Sequence, residues 1–576
     1  MNPETWNQLE VSKIEIPFGH GTKESLKFDH AIIVSATSDV ASQAGLQVLK
    51  HGGNAMDAAL TSVLTSVVLN GGATVSYAGF INAMYYDNTS GQVHTMNGGF
   101  NSVKGETNPL SINYENLGRT VLVPGFMKGV ESAHKKFGTI PFQELFVPAI
   151  HFAETGIAFP IHLNSILQES KENFTSTNTR NLFIKDNGSW IKQGELFRQS
   201  QLAETLKKVS EDGAQYMYSG KWAEHFVEQI QLEGGKITME DMLDYDVIWN
   251  SPLTTKYKGF QVMAMPYPNT GGINTVEALN ILSNLNMSSS QPYYDSSESL
   301  FKLTRSLNVA HLMGTGINYI STDTILDQKP ISHISSDYSA RNTDENAKKI
   351  AGIILSKEWE EFMNNKDTKK ATYGGHSDAV IAVDKDGNVA TIVHTINTYG
   401  WGKNGIFVDG VSIPDAAVYQ KHHLANLDPG ERVPEATTPI IVLRNGKPFL
   451  ISNAIANGVH EATVKNLVGV LNYNHNPFEA VSHPDLGVPK LMLDFYENKA
   501  NSNEMHNAIF GTTVLEGSFK KNLVDSLVKA GQPTYEIDRG SFGNYSGLWI
   551  GVKFDHDKNQ LEGTSPNPVF GGVKGY

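Results

Sequence analysis

The chain has no cysteine in its 576 residues, which excludes disulfides, thiolate metal sites and a cysteine nucleophile and leaves the redox compartment unreadable. It also has no basic tract, and its formal net charge is −14. Without a Lys/Arg cluster, neither a nucleic-acid nor an anionic-membrane partner is expected. Long apolar runs are missing too. The longest, Ala58–Leu69, carries Thr and Ser and falls short of the about 20 residues a membrane span needs; it reads as a buried helix packing on a sheet. The opening Met-Asn-Pro-Glu-Thr-Trp has neither the basic nor the apolar region of a secretory signal, so a cytoplasmic protein is expected. On that reading the sequons at Asn88, Asn173, Asn187, Asn286 and Asn544 arise by chance.

Other absences narrow the chemistry. No P-loop or dinucleotide fingerprint stands in its strand–turn–helix setting, so no cofactor is expected. His422-His423 read as part of a polar loop without further ligands at metal spacing, so no metal is expected either. No Pro/Ser-rich linker or charge block divides the chain. The length prior of roughly four domains therefore yields to one globular unit.

What is present is concentrated between Tyr373 and Gly410. Ala379-Val-Ile-Ala-Val383 and Val389-Ala-Thr-Ile-Val-His-Thr395 are apolar, β-branched runs around Asp384-Lys-Asp-Gly-Asn388, which is hairpin turn chemistry. Gly374 and Gly375 precede the first run and free the backbone there. Ser377 therefore lies at a loop-to-strand junction, where a chain that cleaves itself needs its nucleophile. Taken alone, a Gly-Gly, a serine and a hairpin also occur in proteins with no chemistry. Nearer the start, Val40, Ala44, Leu46, Val48 and Leu49 give a helical pattern over residues 39–50, with Asp39 as cap and Gly52-Gly53 ending it. Asn54 is placed to cap the next helix, with Asp57 in its first turn.

Seven blocks in order carry a resemblance. They are residues 41–60, Tyr77-Ala-Gly-Phe80, Val123-Pro-Gly-Phe-Met-Lys-Gly129, Phe137–Ile150, Gly234–Asp241, Met265-Pro-Tyr-Pro-Asn-Thr-Gly-Gly272 and Gly571-Gly-Val-Lys-Gly-Tyr576. From about Ala31 to Tyr576 the chain resembles the γ-glutamyltranspeptidase family of N-terminal-nucleophile hydrolases. In that family a Thr or Ser lies seven residues before the Asp that opens the hairpin turn, and counting back from Asp384 reaches Ser377.

The resemblance implies an αββα sandwich, two stacked antiparallel sheets with helices outside. It implies cleavage between His376 and Ser377 into a large fragment, 1–376, and a small one, 377–576, which stay together as a heterodimer open to further dimerisation. Ser377 would be the catalytic nucleophile and Thr395 the hydroxyl beside it. Asn397 would contact substrate, Ala456 and Asn457 would supply oxyanion-hole N–H groups, and Asp415 would receive a substrate amine. His394 reads as a satisfied strand residue rather than a base, and Trp401 as core rather than pocket mouth.

Departures from the family pattern point to a different substrate. Gly99 in Asn97-Gly-Gly-Phe100 stands where the family has a carboxylate-binding Arg, and Glu435-Ala436 stand where it has Ser-Ser. The expectation is an amidase or acyltransferase for a small amide outside ordinary glutathione chemistry, with cephalosporin-acylase-like or oxamate-amidohydrolase-like specificity allowed. The alternative is a binding protein that kept the fold and lost turnover.

Overall fold

The computed structural model describes residues 24–174, 177–314, 331–357, 359, 377–487, 511–537, 546–565 and 571–576. The opening segment read for a signal, Gly374, Gly375, His376 and the Asn544 sequon lie outside them.

Two seven-stranded antiparallel sheets form the centre. One runs, edge to edge, through Gly572–Gly575, Ile32–Ser35, Asp378–Val383, Val389–Thr395, Phe80–Asp87, Gln92–Gly98 and Ile248–Asn250. The other runs through Leu26–Phe28, Gln560–Thr564, Leu548–Asp555, Lys447–Ile455, Ile440–Arg444, Phe260–Ala264 and Leu253–Tyr257. Central strands such as Asp378–Val383, Val389–Thr395 and Ile440–Arg444 are nearly unbroken apolar runs because both faces are covered. Ala379, Ile381 and Val383 meet Ile441, Leu443 and Ile451 between the sheets. The alternate residues face outward: Val380 and Ala382 pack under the helices of the first sheet, and Ile440 and Val442 under those of the second. This is the expected αββα sandwich.

The helix Ala55–Leu69 is the buried one anticipated from its apolar run. Asn54 and Asp57 form a reciprocal capping box at its start. Asp384 fixes this helix to the hairpin: its Oδ2 accepts the Ala55 N–H at 3.0 Å, while Oδ1 accepts the turn N–H groups of Asp386 and Asn388. Gly387 takes φ +82° in that turn.

Two local readings are corrected. The helix Asp39–Lys50 is capped by Ser38, whose hydroxyl accepts the Ala41 N–H; Asp39 instead sits in the first turn and pairs with Lys574. His422 and His423 lie on the helix Ala416–Leu424 and not in a polar loop, because Ala416, Ala417 and Leu424 give that segment a face to bury. Among the described residues no helix is long and apolar enough to cross a membrane.

Candidate active site

The hairpin register builds the site. Asp378 pairs with His394, so Ser377 comes to lie across from Thr395. The Ser377 hydroxyl donates to Thr395 Oγ1 at 2.9 Å, and the same oxygen accepts the Asn397 backbone N–H at 3.1 Å. Asn397 has φ +54°, a left-handed conformation that Asn tolerates better than most residues.

Alternation along the strands sorts the neighbours onto two faces. Val393 packs between the sheets, so Thr395 opens into the inter-sheet space as well. Asp378 and His394 take the opposite face, fully buried under the helices. There His394 Nε2 lies 3.3 Å from Asp378 Oδ2 and 3.2 Å from Ser66 Oγ, with its ring against Phe126. This histidine is fastened away from Ser377 through Nε2, while its buried Nδ1 has no partner among the described residues.

Next to Thr395 the inter-sheet face is polar. Asn82 pairs with Val393 on one side and with Asn97 on the other. Asn82 Nδ2 donates to Glu435 Oε1 at 2.5 Å and to Thr437 Oγ1 at 3.0 Å. Glu435 Oε1 also accepts from Asn269 Nδ2 at 2.5 Å, and Oε2 accepts the Thr437 N–H at 2.7 Å. Burial pushes the Glu435 carboxyl above its usual range, against the pull of these donors. This carboxylate therefore bolts the first sheet to the loops of the second. Arg432 does similar work opposite: its Nη1 donates to Asn97 Oδ1 at 2.7 Å and its Nε to Asn101 Oδ1 at 2.6 Å, and it lies over the Tyr245 ring. A Cβ on Gly99 would stand 3.1 Å from Arg432 Cδ, so the Arg432 stem already fills the space a side chain at 99 would enter.

The other candidates occupy the surrounding loops. Asp415 is fully buried at the start of the helix Ala416–Leu424. Its Oδ2 accepts from the Tyr114 hydroxyl and the Lys403 N–H, each at 2.8 Å, and its Oδ1 has no partner among the described residues. Burial, with the Asp415 charge behind it, holds the Tyr114 phenol far above the ordinary range. Trp401 is core: it is fully buried, donates to the Gly71 carbonyl at 2.7 Å and packs edge-on against Phe174 and Phe183.

Ala456 and Asn457 follow the strand Lys447–Ile455, whose Asn453 reaches across the sheets to Thr391 Oγ1 and the Ile392 carbonyl. Both are half-buried just ahead of the helix Val459–Tyr473, and Gly458 gives that helix no side-chain cap. Ala456 holds φ +71°, where an L side chain is disfavoured by about 1–2 kcal/mol. Ala456→Gly is therefore expected to raise stability by up to about 1 kcal/mol, part of the gain being lost to the freer unfolded chain. A urea titration checks it; a destabilised variant would mean that the methyl group packs usefully.

The polar floor of the cleft (Asn82, Asn97, Asn269, Arg432, Thr437) was not singled out from the sequence as functional. Its one usable signal is Asn in strand interiors, where that residue is disfavoured.

The sequence profile of the family described as Gamma-glutamyltranspeptidase matches residues 41–565. The glutathione hydrolase proenzyme of Escherichia coli (strain K12) is 26% identical over 490 residues, covering 78% of this chain and 80% of that protein. The acylase ACY 1 proenzyme of Pseudomonas sp. (strain SE83) is 23% identical over 499 residues, covering 81% and 84%. The crystal structure of a cephalosporin acylase from Bacillus halodurans superimposes with a TM-score of 0.75, at 20% identity and 98% coverage of both chains, and so shares the fold. Sequence match and architecture agree: the chain belongs to the γ-glutamyltranspeptidase family.

Proposed function

We propose that this chain is a self-processing amidohydrolase or acyltransferase that works through an acyl-enzyme on Ser377. The observation that carries the reading is the 2.9 Å bond from the Ser377 hydroxyl to Thr395 Oγ1, because it fixes one hydroxyl at a strand start facing the polar cleft. With its proton directed to Thr395, the oxygen is oriented for attack on a carbonyl carbon.

In the precursor that carbon belongs to His376. The new Oγ–C bond forms, the His376–Ser377 C–N bond breaks, and the hydroxyl proton ends on the departing nitrogen. Water then hydrolyses the ester and leaves fragments 1–376 and 377–576. The freed α-amine, with a reference pKa of about 7.7–8.0, is a base matched to neutral pH. It takes the proton of its own hydroxyl as that oxygen attacks a substrate amide, which is the one-residue nucleophile and base of this enzyme class. The backbone N–H groups of Ala456 and Asn457 are assigned to the developing oxyanion, supported by their place ahead of a helix start without a side-chain cap. The leaving amine receives the proton, and water or a second amine then takes the acyl group.

Asn397 is read as a substrate contact, and the unpartnered Asp415 Oδ1 as an acceptor for a substrate amine. The relatives' names, a glutathione hydrolase and an acylase, bracket the reaction as amide cleavage with acyl release. Ordinary glutathione chemistry is not expected, since the positions that would hold its carboxylate are changed: Gly99 has no side chain, and the Glu435 oxygens are already taken by Asn82, Asn269 and Thr437.

The test is the intact mass of the purified protein under denaturing conditions. Two species meeting between His376 and Ser377 are expected, with one acyl group added to the smaller after treatment with 4-nitrophenyl acetate. An uncut chain that stays uncut and takes no acyl group would move the reading to a binding protein.

A further inference from the structure

Two buried polar atoms in the cleft beside Thr395 have no partner among the described residues: Asn82 Oδ1 and Asn97 Nδ2. Both side chains are buried, at 0% and 3% exposure, and the two residues face each other across adjacent strands. Their orientations are fixed by their other atoms. Asn97 Oδ1 is held by the Gly99 N–H at 2.9 Å and by Arg432, so Nδ2 is the free end. Asn82 Nδ2 is held by Glu435 and Thr437, so Oδ1 is the free end. The inter-sheet face thus presents one spare donor and one spare acceptor on paired residues of adjacent strands. Leaving such a pair unmatched in a buried site costs about 1–3 kcal/mol per group.

We propose that Asn82 and Asn97 read a primary carboxamide at the far end of the substrate's acyl group. Its carbonyl would accept from Asn97 Nδ2 and its N–H would donate to Asn82 Oδ1. A carboxylate has only acceptors and would meet Asn82 Oδ1 with like partial charge. An ammonium has only donors and would leave Asn97 Nδ2 unmatched. Charge points the same way: Arg432 stands one hydrogen bond behind Asn97 and Glu435 one behind Asn82, so the two formal charges oppose each other.

The sheet sets the reach. With strands about 4.8 Å apart and about 3.3 Å of rise per residue, the Asn82 and Asn97 backbones, two and three strands from Ser377, lie about 12 and 16 Å from it. That span suits an acyl chain of about eight carbons reaching from Ser377, so suberamoyl amides are the probes. This assignment rests on Ser377 as the attacking group, because that reading makes the inter-sheet cleft the acyl site.

The experiment compares three isosteric 4-nitroanilides on the purified full-length protein: suberamoyl, suberyl and 8-aminooctanoyl. The carboxamide is expected to lead in kcat/KM by about 100-fold, since a site built to hydrogen-bond rejects analogues that cannot reply. Asn97→Asp keeps the oxygen that Arg432 and Gly99 use and turns the free donor into an acceptor. Its preference should swing to the 8-aminooctanoyl probe, a reversal that simple loss of structure would not produce. Calorimetric binding of the unactivated anilides, suberanilamide against suberanilate, separates the two readings. If no acyl-enzyme forms but the carboxamide still binds more tightly, the Ser377 reading falls and the carboxamide site stands. Equal binding of the two, or tighter binding of the carboxylate, overturns the carboxamide site.

Discussion

Ser377→Ala is expected to give a single uncut chain that transfers acyl groups at least about 10⁴-fold more slowly, on the scale seen when the attacking oxygen of a nucleophilic enzyme is removed. Both losses have one cause. The oxygen that would attack His376 in the precursor is the oxygen that would attack substrate afterwards, and the α-amine that serves as base appears only if the first step succeeds. The fold should not notice the change, since Ser377 is half-buried at the very start of a strand. Circular dichroism and thermal unfolding close to wild type would therefore accompany the lost chemistry. Ser377→Thr keeps a hydroxyl and should restore slow cleavage. Thr395→Val leaves the nucleophile and removes its hydrogen-bond acceptor, so its loss should be smaller, about 10²-fold. If Ser377→Ala still splits into two fragments and turns over, Ser377 is not the nucleophile.

The frame of this site was legible because it is local. Two β-branched runs around Asp384–Asn388 can do little but form a hairpin, and a hairpin places the residue before Asp378 across from Thr395. Asn54 and Asp57 are likewise a capping box that can be read at a spacing of three. The cleft floor was not legible, because its contacts join segments far apart in the chain. Glu435 meets Asn82 across a separation of 353 residues, and Arg432 meets Asn97 across 335. From sequence, Glu435 looked like a charge turned toward substrate. Its oxygens are in fact taken by Asn82, Asn269 and Thr437. The misplaced cap at Asp39 shows a smaller limit, since neighbouring Ser and Asp both suit the cap and only the backbone conformation decides between them.

Acid should unfold this protein through the helices that flank the cleft. His460 lies in the first turn of the helix that follows Ala456–Asn457, and His423 lies in the last turn of the helix that begins after Asp415. Burial lowers both from 6.5 to about 4; the neighbouring His422 adds to this at His423, and His311 and Arg341 add to it at His460 against the opposing charge of Glu461. The sign follows from proton uptake. Below about pH 6.5 the unfolded chain binds protons that the folded chain refuses, so stability is whole above that pH and is lost as pH falls toward 4. A shift of this size is worth about 3 kcal/mol per histidine, and two of them reach the scale of a protein's whole stability, about 5–15 kcal/mol. His475, half-buried and also held at about 4, adds a screened share. Urea unfolding at pH 7, 6 and 5 should show the midpoint falling most steeply between 6 and 5, with acyl transfer lost alongside it. His460→Gln retains an N–H that can reach the Leu307 carbonyl, the present partner of His460 Nε2, and takes up no proton. It should flatten that fall by nearly half. A midpoint that holds steady from pH 6.5 to 4 would mean that these imidazoles are hydrated and protonated within the fold, and that acid does not loosen the cleft through them.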